Sequence, residues 1–538
     1  MKKTREGDFM ESTLFTKRYF MFDYARQRSF VRSEFLLCLD ALSRLGYNGV
    51  GLYLEGAFDF NTIPGVIRRG VMTKDDAKWA VEEGKKRGIL VFPMTNVVGH
   101  MEHFFRQERY RDLLMENTNN RQMNFFDPRA EEFAMRVVHE FADAFGTGVV
   151  HVGGDETTLK PEEKIPYAKF LAKICKNLLE EGLAPAIWDD MIYMDQSLCE
   201  YFDRRISIFD WCYYGHRHES PKFFKDKGFT DVFVCPCDNS WEGFINYQHV
   251  TGWLKSNKDI PVKPNEIEAL FEDGRRAGVL SGMRTNWENS LGRNFWGQWT
   301  AFARGGLYMS GRIEAREEND DLIEEVLFGR KTPYSAVTRL LQDKLPYDDE
   351  VSYNKSYFAM RKALFLPASL IDLYNYLEED KSFSIDMRAV ANEAKALLDT
   401  WDAEGDFEVL CQNALYAICD MIIAADVLCR ALKCREEYSH AALLQFDDKD
   451  LSKEILSNVA DTFSSAIDYI KSYSATLERA VSNIGHTKTD LILLERTSER
   501  LEVIVNEILL ARNEADLIPI PRFERILNLA VNGEYIIT

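Results

Sequence analysis

Positive charge is scarce in this chain: 66 lysines and arginines stand against 86 acids, a formal net charge of −20. Proteins that grip nucleic acid need basic surface to displace counterions from phosphates, so that class is set aside, and polyanionic sugars become poor partners for the same reason. Long apolar runs are missing as well. No segment reaches the roughly 18 apolar residues that a membrane-spanning helix needs. The start, "MKKTREGDFMESTLFTKR", has basic residues with no apolar stretch behind them, and the expectation is a soluble, cytoplasmic protein. Cysteine is sparse and scattered: the ten cysteines follow no disulfide-scaffold spacing, which predicts small, reduced core residues. Cys235 and Cys237 in "VCPC" have one residue between their thiols and no second pair beyond them, so no metal site is assigned.

What the 538 residues do contain is enough apolar material, 46%, to fill two or three domain cores. Up to about residue 310 a unit repeats: a short β-branched or aromatic run, a polar corner, then an amphipathic stretch. The runs are "RYFMFD" (18–23), "NGVGLYL" (48–54), "GILVFPM" (88–94), "GVVHVGG" (148–154), "APAIWDD" (184–190), "RISIFDW" (205–211), "DVFVCPC" (231–237) and "AGVLSGM" (277–283). Between them lie segments such as "TKDDAKWAVEEGKKRG", with Thr73 as N-cap, acids in the first turn and Gly88 past the end. Eight strands alternating with helices predict a parallel sheet closed into a (β/α)8 barrel over residues 1–310. An open doubly wound sheet is the alternative, but no G-x-G-x-x-G follows the first run to favour it. From 311 to 538 strand patterns vanish and long segments such as "NALYAICDMIIAADVLCRALKCREEY" repeat apolar residues at helical spacing. This predicts an all-α C-terminal domain, packed on the barrel or serving as a homodimer surface.

In such barrels the site forms where the strands end. Polar groups cluster there: Asp23 and Arg26 after the first run, Glu55 after the second, Asn96 and His100 after the third, and Asp155 and Glu156 after the fourth. Trp188, Asp189 and Asp190 close the fifth, Trp211 the sixth, and Trp287 and Glu288 follow the eighth. Acids mixed with tryptophans suit carbohydrate, whose ring has an apolar face for indole and a belt of hydroxyls for carboxylates, amides and guanidinium groups. The adjacent pair Asp155–Glu156 sits behind two glycines that let the backbone turn, so both acids could address one ligand. Each feature also has a plainer reading. Acids after a strand often cap a helix, Trp188, Trp211 and Trp287 could be core residues, and Arg26 could be the structural partner of Asp23. His100 and His103 in "GHMEH" do not form HExxH, and His216 and His218 lack companions, which again leaves metal unassigned.

"HVGGDE" resembles the H-x-G-G-D-E signature of glycoside hydrolase family 20, the β-N-acetylhexosaminidases. "FMFDYAR" is similar to that family's first-strand D-x-x-R, "GILVFPMTNVVGHME" to its third strand and G-H, and "IWDDM" and "NWEN" to strands five and eight. "LYLE" and "GHME" look most like the branch that includes hexosaminidase D. The resemblance implies an exo-acting, retaining hydrolase of terminal GlcNAc or GalNAc, free of cofactors, in which the substrate's 2-acetamido oxygen is the nucleophile. It implies Glu156 as general acid and then base, its pKa raised by burial and by the neighbouring carboxylate, and Asp155 as acceptor for the acetamide N–H. Arg26 would bind ring hydroxyls, Trp287 floor the sugar, Trp188 and Trp211 wall the acetamide, and His100 support the site, with Asp189 and Tyr213 also at the substrate. The chain departs from the family in three places. "PMTNVVGH" has Met94 and Asn96 where acids are usual, "WEN" leaves Glu288 or Asn289 to contact the sugar, and no strand-seven tyrosine is evident, with Tyr213, Tyr214 or Trp241 as substitutes. Two other readings stand beside this one: a barrel glycosidase for an unacetylated or sulfated aminosugar, and a catalytically idle sugar-binding scaffold.

Overall fold

The computed structural model describes residues 14–26, 29–65, 71–118, 121–212, 219–237, 266–287, 292, 295–313, 319–344, 353–379, 387–480 and 487–532. Those within 1–240, 248–288 and 301–330 form one compact unit, and those within 241–247, 289–300 and 331–538 form a second.

The first unit is a closed barrel in which eight parallel strands neighbour one another in sequence order, with the eighth pairing back to the first. The strands are β1 (Lys17–Asp23), β2 (Gly49–Tyr53), β3 (Leu90–Met94), β4 (Val149–His151), β5 (Ala184–Trp188), β6 (Ser207–Trp211), β7 (Asp231–Cys235) and β8 (Ser281–Arg284). Parallel barrel strands are covered on both faces, which is why they read as unbroken apolar runs rather than alternating ones. Inside the barrel, Tyr19, Met21, Tyr53, Phe92, Met94, Trp188, Phe209, Phe233 and Met283 pack into one cluster. Phe209 stacks on Phe233 at 4.3 Å.

Two of the expected strands shift for a visible reason. β4 ends at His151: the Gly153 carbonyl still accepts the Trp188 N–H at 3.1 Å, but the positive φ of Gly153 and Gly154 turns the chain out of the strand. β8 begins at Ser281 because Ala277, Gly278 and Val279 donate their N–H groups to Asp273, Arg275 and Gly274, ending the preceding helix rather than opening a strand. The helix Lys74–Lys86 starts as its sequence predicts: Thr73 Oγ1 accepts the Asp76 N–H at 3.1 Å while the Asp76 carboxylate accepts the Thr73 N–H at 3.1 Å. Such a cap stabilises a helix by about 1 kcal/mol.

The second unit is helical throughout its described length. Gly405–Lys433 is buried on nearly all sides, as its apolar residues at successive turns require. Lys449–Ala480 packs against it and against Thr487–Glu514. Among the described residues, no helix is long and apolar enough to cross a membrane.

Candidate active site

The site is built where β4 ends. Gly153 (φ 77°) and Gly154 (φ 99°) turn the chain out of the barrel in a conformation that L side chains rarely adopt. A methyl group on Gly153 would lie 2.5 Å from Asn96 Cγ, and one on Gly154 2.5 Å from Leu171 Cδ2, so both positions need glycine on steric grounds too. The turn continues through Glu156, a non-glycine residue at φ 48°. That strain, of order 1–3 kcal/mol, is held by two contacts: the Glu156 N–H donates to Asp190 Oδ2 at 2.9 Å, and its carbonyl accepts from Arg121 Nη2 at 2.9 Å.

The turn places neighbouring carboxylates against one imidazole. His100 Nε2 is 3.5 Å from Asp155 Oδ2 and 3.2 Å from Glu156 Oε2. Asp155 is buried, 6% exposed, and its Oδ1 accepts from Asn96 Nδ2 at 2.6 Å. The Glu156 side chain is 48% exposed, with Arg121 Nη2 3.7 Å from its Oε2. Burial opposes the charged form of His100, but the Asp155 and Glu156 carboxylates outweigh it and push the imidazole up to about 10. The same hydrogen bond from His100 holds Glu156 below the ordinary carboxylate value, more than burial raises it. The expectation of a raised Glu156 is therefore corrected: His100 and Arg121 face a half-exposed carboxylate and hold it below its ordinary value.

Glu55, after β2, is the group that behaves as Glu156 was expected to. It is buried at φ 42°, and burial raises its carboxyl to about 7 against the opposing pull of Arg26 and His100. His103 Nε2 is 3.7 Å from its Oε2. "LYLE" put a carboxylate directly behind a buried run, which was the available signal. Arg121 lies in the long connection between β3 and β4 and belongs to no recognisable pattern.

Arg26 is both partner and site residue. Its Nη1 donates to Asp23 Oδ2 at 2.9 Å while its guanidinium lies 4.7 Å from the Trp287 ring and 5.7 Å from Tyr53. Burial disfavours its charge, but Asp23 and Glu55 more than restore it. Trp188 is fully buried, 4.5 Å from His151 and 6.1 Å from Trp287. Trp287 is edge-on to Tyr53 at 5.0 Å. Asp189 is fully enclosed, and its Oδ1 accepts the Trp211 N–H at 2.9 Å. In "IWDDM" each acid thus holds a backbone amide of a rim residue, Asp189 that of Trp211 and Asp190 that of Glu156. Tyr213 and Glu288, with Tyr214, Trp241, Asn289, His216 and His218, lie outside the described residues. Cys235 and Cys237 are buried free thiols, and no group of three His, Cys, Asp or Glu among the described residues could hold a metal ion.

This arrangement offers a stored proton between two carboxylates, a guanidinium, and tryptophan faces. Residues 51–219 match the model described as "Glycosyl hydrolase family 20, catalytic domain". The chain is 27% identical over 150 residues to a beta-hexosaminidase of Akkermansia muciniphila, covering 23% of this chain and 30% of that protein. It is 25% identical over 328 residues to the beta-hexosaminidase subunit beta of Entamoeba histolytica, covering 51% and 55%. The chain thus spans about a third and about half of the length of these two relatives. Among solved structures, the β-N-acetylhexosaminidase of Bacteroides fragilis aligns with a TM-score of 0.44 at 18% identity, over 59% of this chain and 70% of that one.

Proposed function

For a chain whose residues 51–219 match the glycosyl hydrolase family 20 catalytic domain, we propose an exo-acting, retaining β-N-acetylhexosaminidase that removes terminal N-acetylhexosamine with help from the substrate's own amide. The observation that carries this reading is the meeting of Asp155 and Glu156 on one imidazole, at 3.5 and 3.2 Å. Neighbouring acids that converge can serve two ends of one substrate, the leaving oxygen and the 2-acetamido group.

In the first step the acetamide oxygen attacks the anomeric carbon as the bond to the leaving oxygen breaks, and that oxygen takes a proton from Glu156. The ring carries the new bond as an oxazolinium ion. Asp155 accepts the amide N–H, orients the group and stabilises the positive charge that develops on it. In the second step Glu156 takes a proton from water, which opens the oxazolinium with overall retention. The resting state supports a source for the first proton. His100 holds it 3.2 Å from Glu156 Oε2, and a sugar that excludes water from the half-exposed carboxylate raises its affinity for that proton. Arg26 binds ring hydroxyls over Trp287, and Trp188 and Trp211 enclose the acetamide.

Nitrophenol release from the N-acetylglucosaminide, the N-acetylgalactosaminide and the unacetylated glucosaminide tests the reading, together with inhibition by a thiazoline mimic of the intermediate. At least one N-acetyl substrate is cleaved and the thiazoline inhibits. Turnover of the unacetylated sugar alone, or turnover insensitive to thiazoline, defeats the mechanism, and no turnover at all favours a sugar-binding scaffold.

A further inference from the structure

Asn96 stands where the family resemblance leads one to expect an acid, and each of its polar atoms is committed. The side chain is buried between the loops that follow β3 and β4. Its Oδ1 accepts the N–H of Val98 at 3.1 Å and of Gly154 at 3.2 Å. Only the carbonyl end of an amide can meet two N–H donors, so these neighbours decide which way the side chain points. Its NH2 end faces Asp155 and donates to Oδ1 at 2.6 Å. That group is a donor alone, so Asp155 Oδ1 acts as an acceptor alone.

We propose that Asn96 is a positioning residue that holds the Asp155 side chain at one fixed angle, with Oδ1 committed as acceptor to its amide and Oδ2, the oxygen on the His100 side, offered to the substrate's amide N–H. The identity of that N–H rests on the hexosaminidase reading; the hold on Asp155 does not. An acid at position 96 would set two carboxyl oxygens 2.6 Å apart, where one shared proton is needed to avoid repulsion between like charges. The other titratable groups facing Asp155 are His100 at 3.5 Å, its neighbour Glu156, Tyr53 at the end of β2 and Tyr167 of the helix Lys164–Glu180. Both tyrosines are held neutral, first by burial and also by nearby acids.

Asn96→Asp tests the proposal cleanly, because it keeps an oxygen for the Val98 and Gly154 amides and changes only the group facing Asp155. A shared proton gives the folded pair a pKa above its unfolded value, so stability is retained at low pH and lost as pH rises through the folded value. The Tm gap between wild type and variant is expected to be small near about pH 5 and to widen by several degrees toward about pH 8. With the nitrophenyl N-acetyl substrate, kcat/KM of the variant approaches wild type near about pH 5 and falls by roughly tenfold or more by about pH 8. Asn96→Ser, too short to reach Asp155 and without a titratable group, lowers kcat/KM by roughly tenfold at every pH. A Tm gap and an activity ratio that do not change with pH in Asn96→Asp, or wild-type kcat/KM in Asn96→Ser, overturn the proposal. If the wild type cleaves no N-acetyl sugar, the functional reading fails and the Tm comparison alone decides the role of Asn96.

Discussion

Both units of this protein bury acids, but they satisfy them differently. In the helical unit three buried acids each have their own closed set of partners. Glu408 accepts from Trp401 Nε1 at 3.0 Å, Asp420 from Lys395 Nζ at 2.7 Å and from Thr476, and Asp426 from Arg430 Nε at 2.7 Å. At the mouth of the barrel the groups are shared instead: His100 faces two carboxylates, Glu55 lies between Arg26 and His103, and Arg26 serves Asp23 and the Trp287 face together. A closed pair minimises the cost of burying charge. A shared set leaves protons and hydrogen-bonding capacity that a ligand can redistribute, which is what a catalytic site needs. Burial alone therefore does not distinguish the two units. Convergence does.

The contrast can be broken in either direction. The largest effect is expected for Glu156→Gln, which removes the proton donor from a half-exposed side chain. Turnover of an N-acetyl substrate falls by about 10³-fold or more, while Tm stays near wild type; a loss of both together makes Glu156 structural. The opposite is expected for Asp420→Ala. Here Lys395 and Thr476 lose their acceptor, stability falls by about 1–3 kcal/mol in urea unfolding, and kcat/KM of the remaining folded enzyme is unchanged. Equal damage to activity would erase the distinction between closed and shared acids. The smallest effect is a pH dependence. Glu55 has a folded pKa of about 7, above its ordinary value, because burial favours the neutral form. The folded state then binds more protons than the unfolded one, so stability declines as pH rises from the ordinary carboxylate range toward about 7. Glu55→Gln removes that slope, and parallel melting curves for the two proteins across this range would contradict the assignment.

Much of this organisation was legible before any coordinates. The strands announce themselves because a parallel barrel makes them continuous apolar runs, and Thr73 announces its helix because the capping partners are local. Asp155 and Glu156 stand out because a glycine pair lets the backbone turn at the end of a buried strand, where a barrel places its site. What stayed hidden depends on closure of the barrel. Asp189 looked like a ligand-facing acid, and only the β5–β6 neighbourhood shows it holding the Trp211 amide. The direction in which Glu156 is held is not readable locally, because it is decided by His100, 56 positions earlier, seated at 3.2 Å. Arg121 had no local signature, and Glu55 had one that pointed to the rim without saying that the side chain would be buried there.

If the substrate's amide performs the displacement, the nucleophilicity of its carbonyl oxygen sets the rate, and that property can be varied directly. A series of nitrophenyl glycosides bearing acetyl, monofluoroacetyl, difluoroacetyl and trifluoroacetyl groups on the 2-amine weakens the carbonyl oxygen stepwise while leaving the leaving group untouched. A steep, monotonic fall in kcat/KM is expected along the series. A flat response would mean that a protein carboxylate or water attacks the anomeric carbon instead.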